Sequence, residues 1–179
     1  MPPAVRAYWW PRFMRAADWI VDAMRRLDAD GTRAVATERD GTLAVPAPGG
    51  LVTIRGRADR IDRLVDGNLA IIDYKTGYVP SPGEVEAGFE PQLALLAAIA
   101  EAGGFKDVPA APVGALAYWK ISGGDPPGAI APREASIEAA RMGLARLIAA
   151  FDDPRTPYVA DPDAARSDYA HLARVKEWS

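Results

Sequence analysis

The chain has 179 residues, of which 49% are hydrophobic and 25% are charged, and its net charge at pH 7 is −3. These values are typical of a single globular domain that can bury a sizeable core. No apolar run approaches the roughly 18 residues of a membrane span, and the absence of cysteine excludes disulfides, cysteine-ligated zinc and a cysteine-held iron–sulfur cluster. The acidic balance excludes an overall basic surface, so any nucleic-acid binding requires a local patch or a larger partner. We expect a cytoplasmic protein.

The first half of the chain changes from helical to extended character. Apolar residues recur at helical spacing and predict a first helix over residues 9–28, ended by Gly31. Residues 33–76 then carry three strand-like runs, separated by a Pro-Gly-Gly turn and an Asp-Gly-Asn turn. The Asp-Gly-Asn turn, at residues 66–68, predicts a hairpin.

The second half alternates between helical and extended patterns. We expect a buried helix over 89–102, a strand over 112–121, an amphipathic helix over 133–151 and a last short helix over 163–177. No internal repeat is present. This order predicts a single domain of α+β or α/β type with a mixed sheet; with the family resemblance given below, we expect the α/β type, its sheet flanked by helices.

The strand that ends in Asp73 and Lys75 carries the candidate chemistry. The two residues are two positions apart, so both side chains leave the same face of the strand. In isolation an Asp-x-Lys pair is usually a solvated surface ion pair. Here it follows the apolar run of residues 69–72, which indicates a strand buried on both faces, and charges at the end of such a strand are costly unless paired or metal-bound.

The pairing register of the hairpin decides which acid joins this pair. A three-residue Asp-Gly-Asn loop places Asp59 opposite Lys75 and diagonal to Asp73, so that both carboxylates reach one ion. A two-residue Gly-Asn loop would instead place Asp62 opposite Asp73 and turn Asp59 away. We prefer the first register. Its two carboxylates suit Mg²⁺ or Mn²⁺, a bound water could attack phosphorus, and the lysine could orient that water or stabilise phosphate charge.

Several motifs together resemble a known family. Gly-x-x-Asp at residues 56–59, Asp-Tyr-Lys-Thr-Gly at 73–77 and Gln92 at the head of a helix resemble the RecB-type branch of the PD-(D/E)XK nuclease superfamily. The segments YWWPRF, PQLALLAAIAEAGGF and DYAHLARVKEWS further resemble the C-terminal nuclease domains of alphaproteobacterial AddB subunits. The resemblance covers nearly the whole chain and implies one restriction-endonuclease-like domain over residues 1–179.

The resemblance also implies roles for individual residues. Asp59 and Asp73 match the metal-binding acids, and Tyr74 matches the residue whose backbone carbonyl completes the metal site. Lys75 matches the catalytic lysine, and Gln92 matches the glutamine that supports the site. The implied activity is Mg²⁺- or Mn²⁺-dependent hydrolysis of DNA phosphodiesters during double-strand break repair, without an iron–sulfur cluster. The implied partners are DNA and an AddA-like helicase subunit, with no membrane.

Two positions depart from the family pattern. The family often supplies a histidine or glutamate ligand from its first helix, where this chain has Met24, and its Q-x-x-x-Y motif has Leu96 here in place of tyrosine. A second hypothesis is therefore a noncatalytic DNA-end-binding or subunit-docking domain. A third is an RNA or repair nuclease on the same scaffold.

Other residues have a structural interpretation as well as a functional one. Glu38 could be a ligand, a partner of Arg57 or simply exposed, and the arginines of residues 55–63 could meet phosphates or form structural ion pairs. Tryptophans could stack on bases, but their spacing favours the core for most of the five. We expect Asp18 and Asp22 to be solvated and salt-bridged, and the single histidine, His171, to be packed or at the surface.

Overall fold

A computed structural model describes the backbone of residues 3–158 and the side chains of residues 6–158. The predicted last helix over 163–177, with His171 and Trp178, lies outside the described residues.

One mixed five-stranded sheet forms the centre of the described part. Its strands follow the chain in the order β1 to β5; β3 and β4 are parallel and every other neighbouring pair is antiparallel. The elements are α1 (Pro3–Ala29), β1 (Arg33–Ala47), β2 (Gly50–Arg63), β3 (Leu69–Lys75), α2 (Pro82–Glu86), α3 (Gln92–Glu101), β4 (Val113–Ile121), β5 (Gly128–Arg133) and α4 (Ile137–Asp152). The predicted mixed sheet with flanking helices is confirmed.

The middle strand is buried because helices cover both faces of the sheet. Residues 69–72 of β3 are all buried, as their continuous apolar run predicts. α3 packs on one face through Leu93, Leu96 and Ala97, and the second half of α1 packs on the other. Prolines occur only in the outer strands β1 and β5 among the five, where a missing amide donor is tolerated.

Helix α1 differs from its prediction in length and in packing. It begins at Pro3 rather than at residue 9, and only its second half packs into the core, where Trp19, Ala23 and Leu27 pack with Trp119. The first half is joined to the loop after β4 by hydrogen bonds from arginine side chains. The tryptophans at positions 9 and 10 are exposed, so the expectation that most tryptophans lie in the core is wrong for this half of the helix. No helix in residues 3–158 is both long and apolar enough to cross a membrane.

Two short elements are absent from the sequence prediction. Helix α2 has five residues and begins at a capping box in which the Ser81 hydroxyl accepts from the Glu84 amide and the Glu84 carboxylate accepts from the Ser81 amide. Strand β5 occupies residues 128–133, between the predicted strand and the predicted amphipathic helix, and that helix begins at Ile137 rather than at residue 133. α3 begins at Gln92 rather than at residue 89, because Pro91 occupies its N-cap position.

Candidate active site

Strand β3 presents Asp73 and Lys75 at its carboxyl end, on the face covered by α3. Alternation along the strand places Ile71 in the core under α3 and Ile72 in the core under α1. Asp73 is 3% exposed, whereas the Lys75 side chain is 28% exposed. The carboxylate is therefore buried and depends on its neighbours, while the ammonium group reaches solvent.

The β2–β3 hairpin closes one residue earlier than predicted. Its loop consists of residues 65–67, across which the Leu64 amide donates to the Asn68 carbonyl at 2.8 Å. The last loop residue is a glycine with a φ of 86°, a conformation that glycine adopts without steric penalty. The predicted pairing of Asp59 with Lys75 is therefore wrong by two residues.

The observed register brings the two predicted metal-binding acids beside each other. The last pair of the β2–β3 ladder joins Arg60 to Ile72, so the next position in this register places Asp59 beside Asp73. The charge of Asp59 raises the pKa of Asp73, so the expected proximity of the two acids survives the error in register. The alternative register, with Asp62 opposite Asp73, is wrong.

Asp59 also contacts the backbone of β3 directly. Its Oδ2 accepts a hydrogen bond from the Tyr74 amide at 2.8 Å, at the point where the backbone pairing of the two strands has ended. The carboxylate thus accepts from an amide that lies beyond the backbone pairing of β2 with β3, and this contact holds the half-buried side chain against β3.

Gln92 links the acid and the lysine from the first turn of α3. Its Nε2 donates to Asp73 Oδ1 at 2.7 Å, and its Oε1 accepts from Lys75 Nζ at 3.3 Å. Lys75 Nζ also forms an ion pair with Asp73 Oδ2 at 2.8 Å. The structure therefore brings these three predicted site residues into contact with one another. We call Asp73, Lys75 and Gln92 the contact set.

Burial controls the protonation of Asp73. It raises the pKa of this carboxyl above its ordinary value, and the charge of Asp59 acts in the same direction. The Lys75 ammonium and the Gln92 amide oppose the shift by stabilising the ionised form. A carboxylate that remains costly to ionise after these two contacts is one that a further positive charge would stabilise.

The donor set fits a hard divalent cation that retains most of its own water. Asp59 and Asp73 provide two carboxylates close enough for the charge of Asp59 to raise the pKa of Asp73. The buried Asp73 Oδ2 pairs with the Lys75 ammonium and has no hydrogen-bond partner in the described part of the chain. Within residues 6–158 no group of three or more His, Cys, Asp or Glu side chains could hold a metal. Two carboxylates with water and a backbone carbonyl suit Mg²⁺ or Mn²⁺ and do not suit zinc. The predicted participation of the Tyr74 carbonyl stays a prediction.

Tyr118 is a site residue that the sequence analysis missed. The parallel register places it beside Asp73 on β4, and its ring lies between Lys75 Nζ, 5.4 Å from the ring centroid, and Arg133 Cζ, 5.6 Å from it. Its buried hydroxyl has no hydrogen-bond partner among the described residues. Burial, followed by the charges of Asp73 and Glu90, raises the pKa of Tyr118 to about 12, against the opposing effect of Arg133.

Several of the other charged candidates form ion pairs with one another rather than with this contact set. Arg57 binds Glu38 at 3.0 Å on the surface, which selects the ion-pair interpretation among those considered for Glu38. Arg60 binds Asp62 at 2.6 Å in a buried pair. On α1, Asp22 pairs with Arg25 at the surface, as expected for a solvated face.

Comparisons with known proteins identify a family and several relatives. A family model described as the PD-(D/E)XK nuclease superfamily matches residues 4–173. An uncharacterized protein of Rickettsia bellii is 30% identical over 152 residues, which are 75% of this chain and 18% of that protein. An uncharacterized protein of Rickettsia conorii is 41% identical over 58 residues, which are 32% of this chain and 7% of that protein.

The crystal structure of SSO0001 is similar at a TM-score of 0.40 and 16% identity, covering 70% of this chain and 55% of that one. The chain spans only a small part of the two Rickettsia proteins' length. The family model, by contrast, covers almost the whole chain. This chain belongs to the PD-(D/E)XK nuclease superfamily.

Proposed function

We propose that this domain hydrolyses DNA phosphodiesters with Mg²⁺ or Mn²⁺ as its cofactor. One observation carries the proposal: Asp73, Lys75 and Gln92 contact one another at the end of a buried strand, with Asp59 beside them in the adjacent strand. An acid, a cation and an amide of this kind are the groups that phosphoryl chemistry needs close together.

The residues divide the work according to their burial and charge. Asp59 and Asp73, with the Tyr74 carbonyl, would hold the cation, which when bound supplies positive charge and a more acidic water. Lys75 extends from the buried acid toward solvent, so its ammonium can stabilise charge on a phosphate or orient the attacking water. Gln92 fixes the lysine while it donates to the acid.

The biological setting that we propose is the repair of double-strand breaks, as the nuclease domain of an AddB-like subunit beside an AddA-like helicase in the cytoplasm. The support for this is the sequence resemblance to AddB-type domains. The much greater length of the Rickettsia relatives is compatible with a domain that works within a larger protein.

A noncatalytic DNA-end-binding or subunit-docking role is the second candidate. It is favoured by the absence, within the described side chains, of a third His, Cys, Asp or Glu near the two aspartates. A domain that has lost metal binding would keep the fold and the basic and aromatic surfaces but not the chemistry.

Cleavage assays separate the two candidates. The chain is incubated with single-stranded DNA, duplex DNA or RNA, with Mg²⁺, Mn²⁺ or a chelator, and Mn²⁺ binding is measured by calorimetry. We expect metal-dependent cleavage of DNA that Lys75→Ala and Asp73→Ala abolish, while the surface control Lys106→Ala retains it. Cleavage by either site variant at the parental rate would refute the assignment. A silent calorimetric titration without cleavage supports the docking domain, and selective cleavage of RNA redirects the proposal to an RNA nuclease.

A further inference from the structure

An aromatic groove lies on the face of the sheet opposite the contact set. It has a volume of about 590 Å³ and runs between the first half of α1 and the carboxyl ends of β3 and β4. Its lining includes Arg6, Trp9, Trp10, Arg12, Phe13 and Thr76. We call it the α1 groove.

The rings of the α1 groove are exposed but held in place. Trp9 and Trp10 are each 54% exposed and Phe13 is 61% exposed. Trp10 stacks on Phe13 with ring centroids 5.7 Å apart, and the Arg6 guanidinium lies 5.9 Å from the Trp10 ring. The Arg12 guanidinium lies 5.7 Å from Trp9. These contacts orient the rings and leave area on them for a ligand.

Two arginines fix this half of the helix to the sheet edge. Arg12 donates to the Ser122 carbonyl at 3.5 Å, and Arg15 donates to the Gly123 carbonyl at 2.8 Å. Because the loop after β4 is bonded to α1 in this way, the groove is a built feature of the fold and not a frayed helix end.

The charge of the α1 groove is opposite to that of the whole chain. Residues 1–17 contain three arginines and neither aspartate nor glutamate, although the net charge of the chain is −3. Arginine beside exposed aromatic rings is the combination that binds a single nucleic-acid strand, since guanidinium groups meet phosphates while rings stack on bases.

The position of the α1 groove connects it to the candidate active site. Thr76, which lines it, directly follows Lys75, the last residue of β3, whose ammonium contacts Asp73 and Gln92. A strand lying in the groove would therefore pass over the carboxyl edge of the sheet to reach the lysine. A duplex offers no base faces for stacking, so the geometry selects a single strand.

We propose that the α1 groove binds single-stranded DNA by stacking bases on Trp9, Trp10 and Phe13 and by contacting phosphates with Arg6. The proposal deepens the function proposed above and rests on it. It assigns the groove as the surface that holds the strand while the contact set on the other face cuts it.

Binding and cleavage are measured separately in the 179-residue chain. Quenching of tryptophan fluorescence by an oligothymidylate, with chelator present, reports strand binding without cleavage. The variants are Trp10→Ala and Arg6→Ala, both at exposed positions. The matched control is Arg25→Ala, whose exposed side chain lies on the second half of the same helix. We expect Trp10→Ala to weaken binding by roughly five-fold or more, Arg6→Ala to weaken it and flatten its salt dependence, and Arg25→Ala to have no effect.

A small chromogenic diester, bis(p-nitrophenyl) phosphate, isolates the chemistry because it is too short to occupy the groove. We expect Trp10→Ala to hydrolyse it at the parental rate while cutting the oligonucleotide at least about five-fold less efficiently. Parental binding and parental oligonucleotide cleavage by Trp10→Ala would overturn the groove assignment and leave this face to a protein partner. A parent that hydrolyses neither substrate would overturn the proposed function, and the quenching assay would still decide the groove.

Discussion

Replacing Gln92 by leucine tests whether the glutamine holds the buried acid. Leucine removes the 2.7 Å hydrogen bond to Asp73 Oδ1 and leaves a side chain of similar size at this position of α3. A hydrogen bond to a charged group contributes about 1.5–3 kcal/mol to the free energy of unfolding. For a domain of this size that loss lowers the melting temperature by about 3–12 °C.

The destabilisation by Gln92→Leu should depend on pH, and its sign follows from the pKa of Asp73. Burial raises that pKa, so without metal the folded protein holds this proton more tightly than the unfolded chain. Protonated Asp73 therefore contributes full stability below the ordinary pKa of 3.8, and the contribution is lost as pH rises through the raised value. The Gln92 amide favours the ionised form, so its removal should be felt at neutral pH and much less near pH 3.8.

A double-mutant cycle with Asp73→Asn supplies the control. Chemical unfolding without metal is measured for the parent, both single variants and the pair, at neutral pH and near the ordinary pKa of aspartate. We expect the penalty of Gln92→Leu to shrink by about 0.5–3 kcal/mol when residue 73 carries no charge. An equal penalty at both pH values, or an unchanged penalty in the Asp73→Asn background, would refute the role assigned to the glutamine.

Three further predictions follow from the same contacts. Saturating Mn²⁺ should stabilise the parent by about 2.7 kcal/mol at a hundred times its dissociation constant. In a thermal melt it should leave the melting temperature of Asp73→Asn unchanged, and equal shifts in the two proteins would place the metal elsewhere. Tyr118→Phe should unfold at the parental temperature or slightly above it, since it removes a buried hydroxyl without a described partner. The variant should also lack the tyrosine ionisation that ultraviolet absorbance detects for Tyr118, whose pKa is raised to about 12. Gly56→Ala should lower stability by about 1–3 kcal/mol, because its Cβ would approach Leu96 Cδ2 to 2.9 Å; part of the loss should return when Leu96 is shortened to valine, and a lack of coupling would contradict this reasoning.

The central elements of the fold could be predicted because their signals are long or continuous. The apolar run of β3 predicts burial on both faces, and the structure has this strand in the middle of the sheet. α2 and β5 escaped prediction because five or six residues hold too little periodicity, and a proline in β5 further weakens its strand pattern. The pattern of α1 predicted a helix, but periodicity alone does not say how much of an apolar stripe the sheet is able to cover.

The contact set was predictable to the extent that parity decides it. Asp73 and Lys75 share a face whatever the register, and although the predicted pairing of Asp59 was wrong by two residues, its charge still acts on Asp73. Tyr118 was missed because it reaches Asp73 through a parallel pairing between strands separated by two helices, and no local signal in the sequence specifies that register. Gln92 was identified from the family resemblance, and its two hydrogen bonds became visible only in the structure.

The chain contains two acid–cation pairs at the same spacing in neighbouring strands, and their surroundings distinguish a reactive pair from a structural one. In β2, Arg60 and Asp62 are almost fully enclosed and lie 2.6 Å apart beside Trp119. In β3, Asp73 is equally enclosed, but its partner is a lysine that reaches solvent at the carboxyl edge of the sheet. Arginine keeps its charge at every accessible pH and its pair is sealed, so it can only stabilise the fold. The lysine offers a compact charge that can leave its acid for a substrate, and for this reason we assign the chemistry to β3.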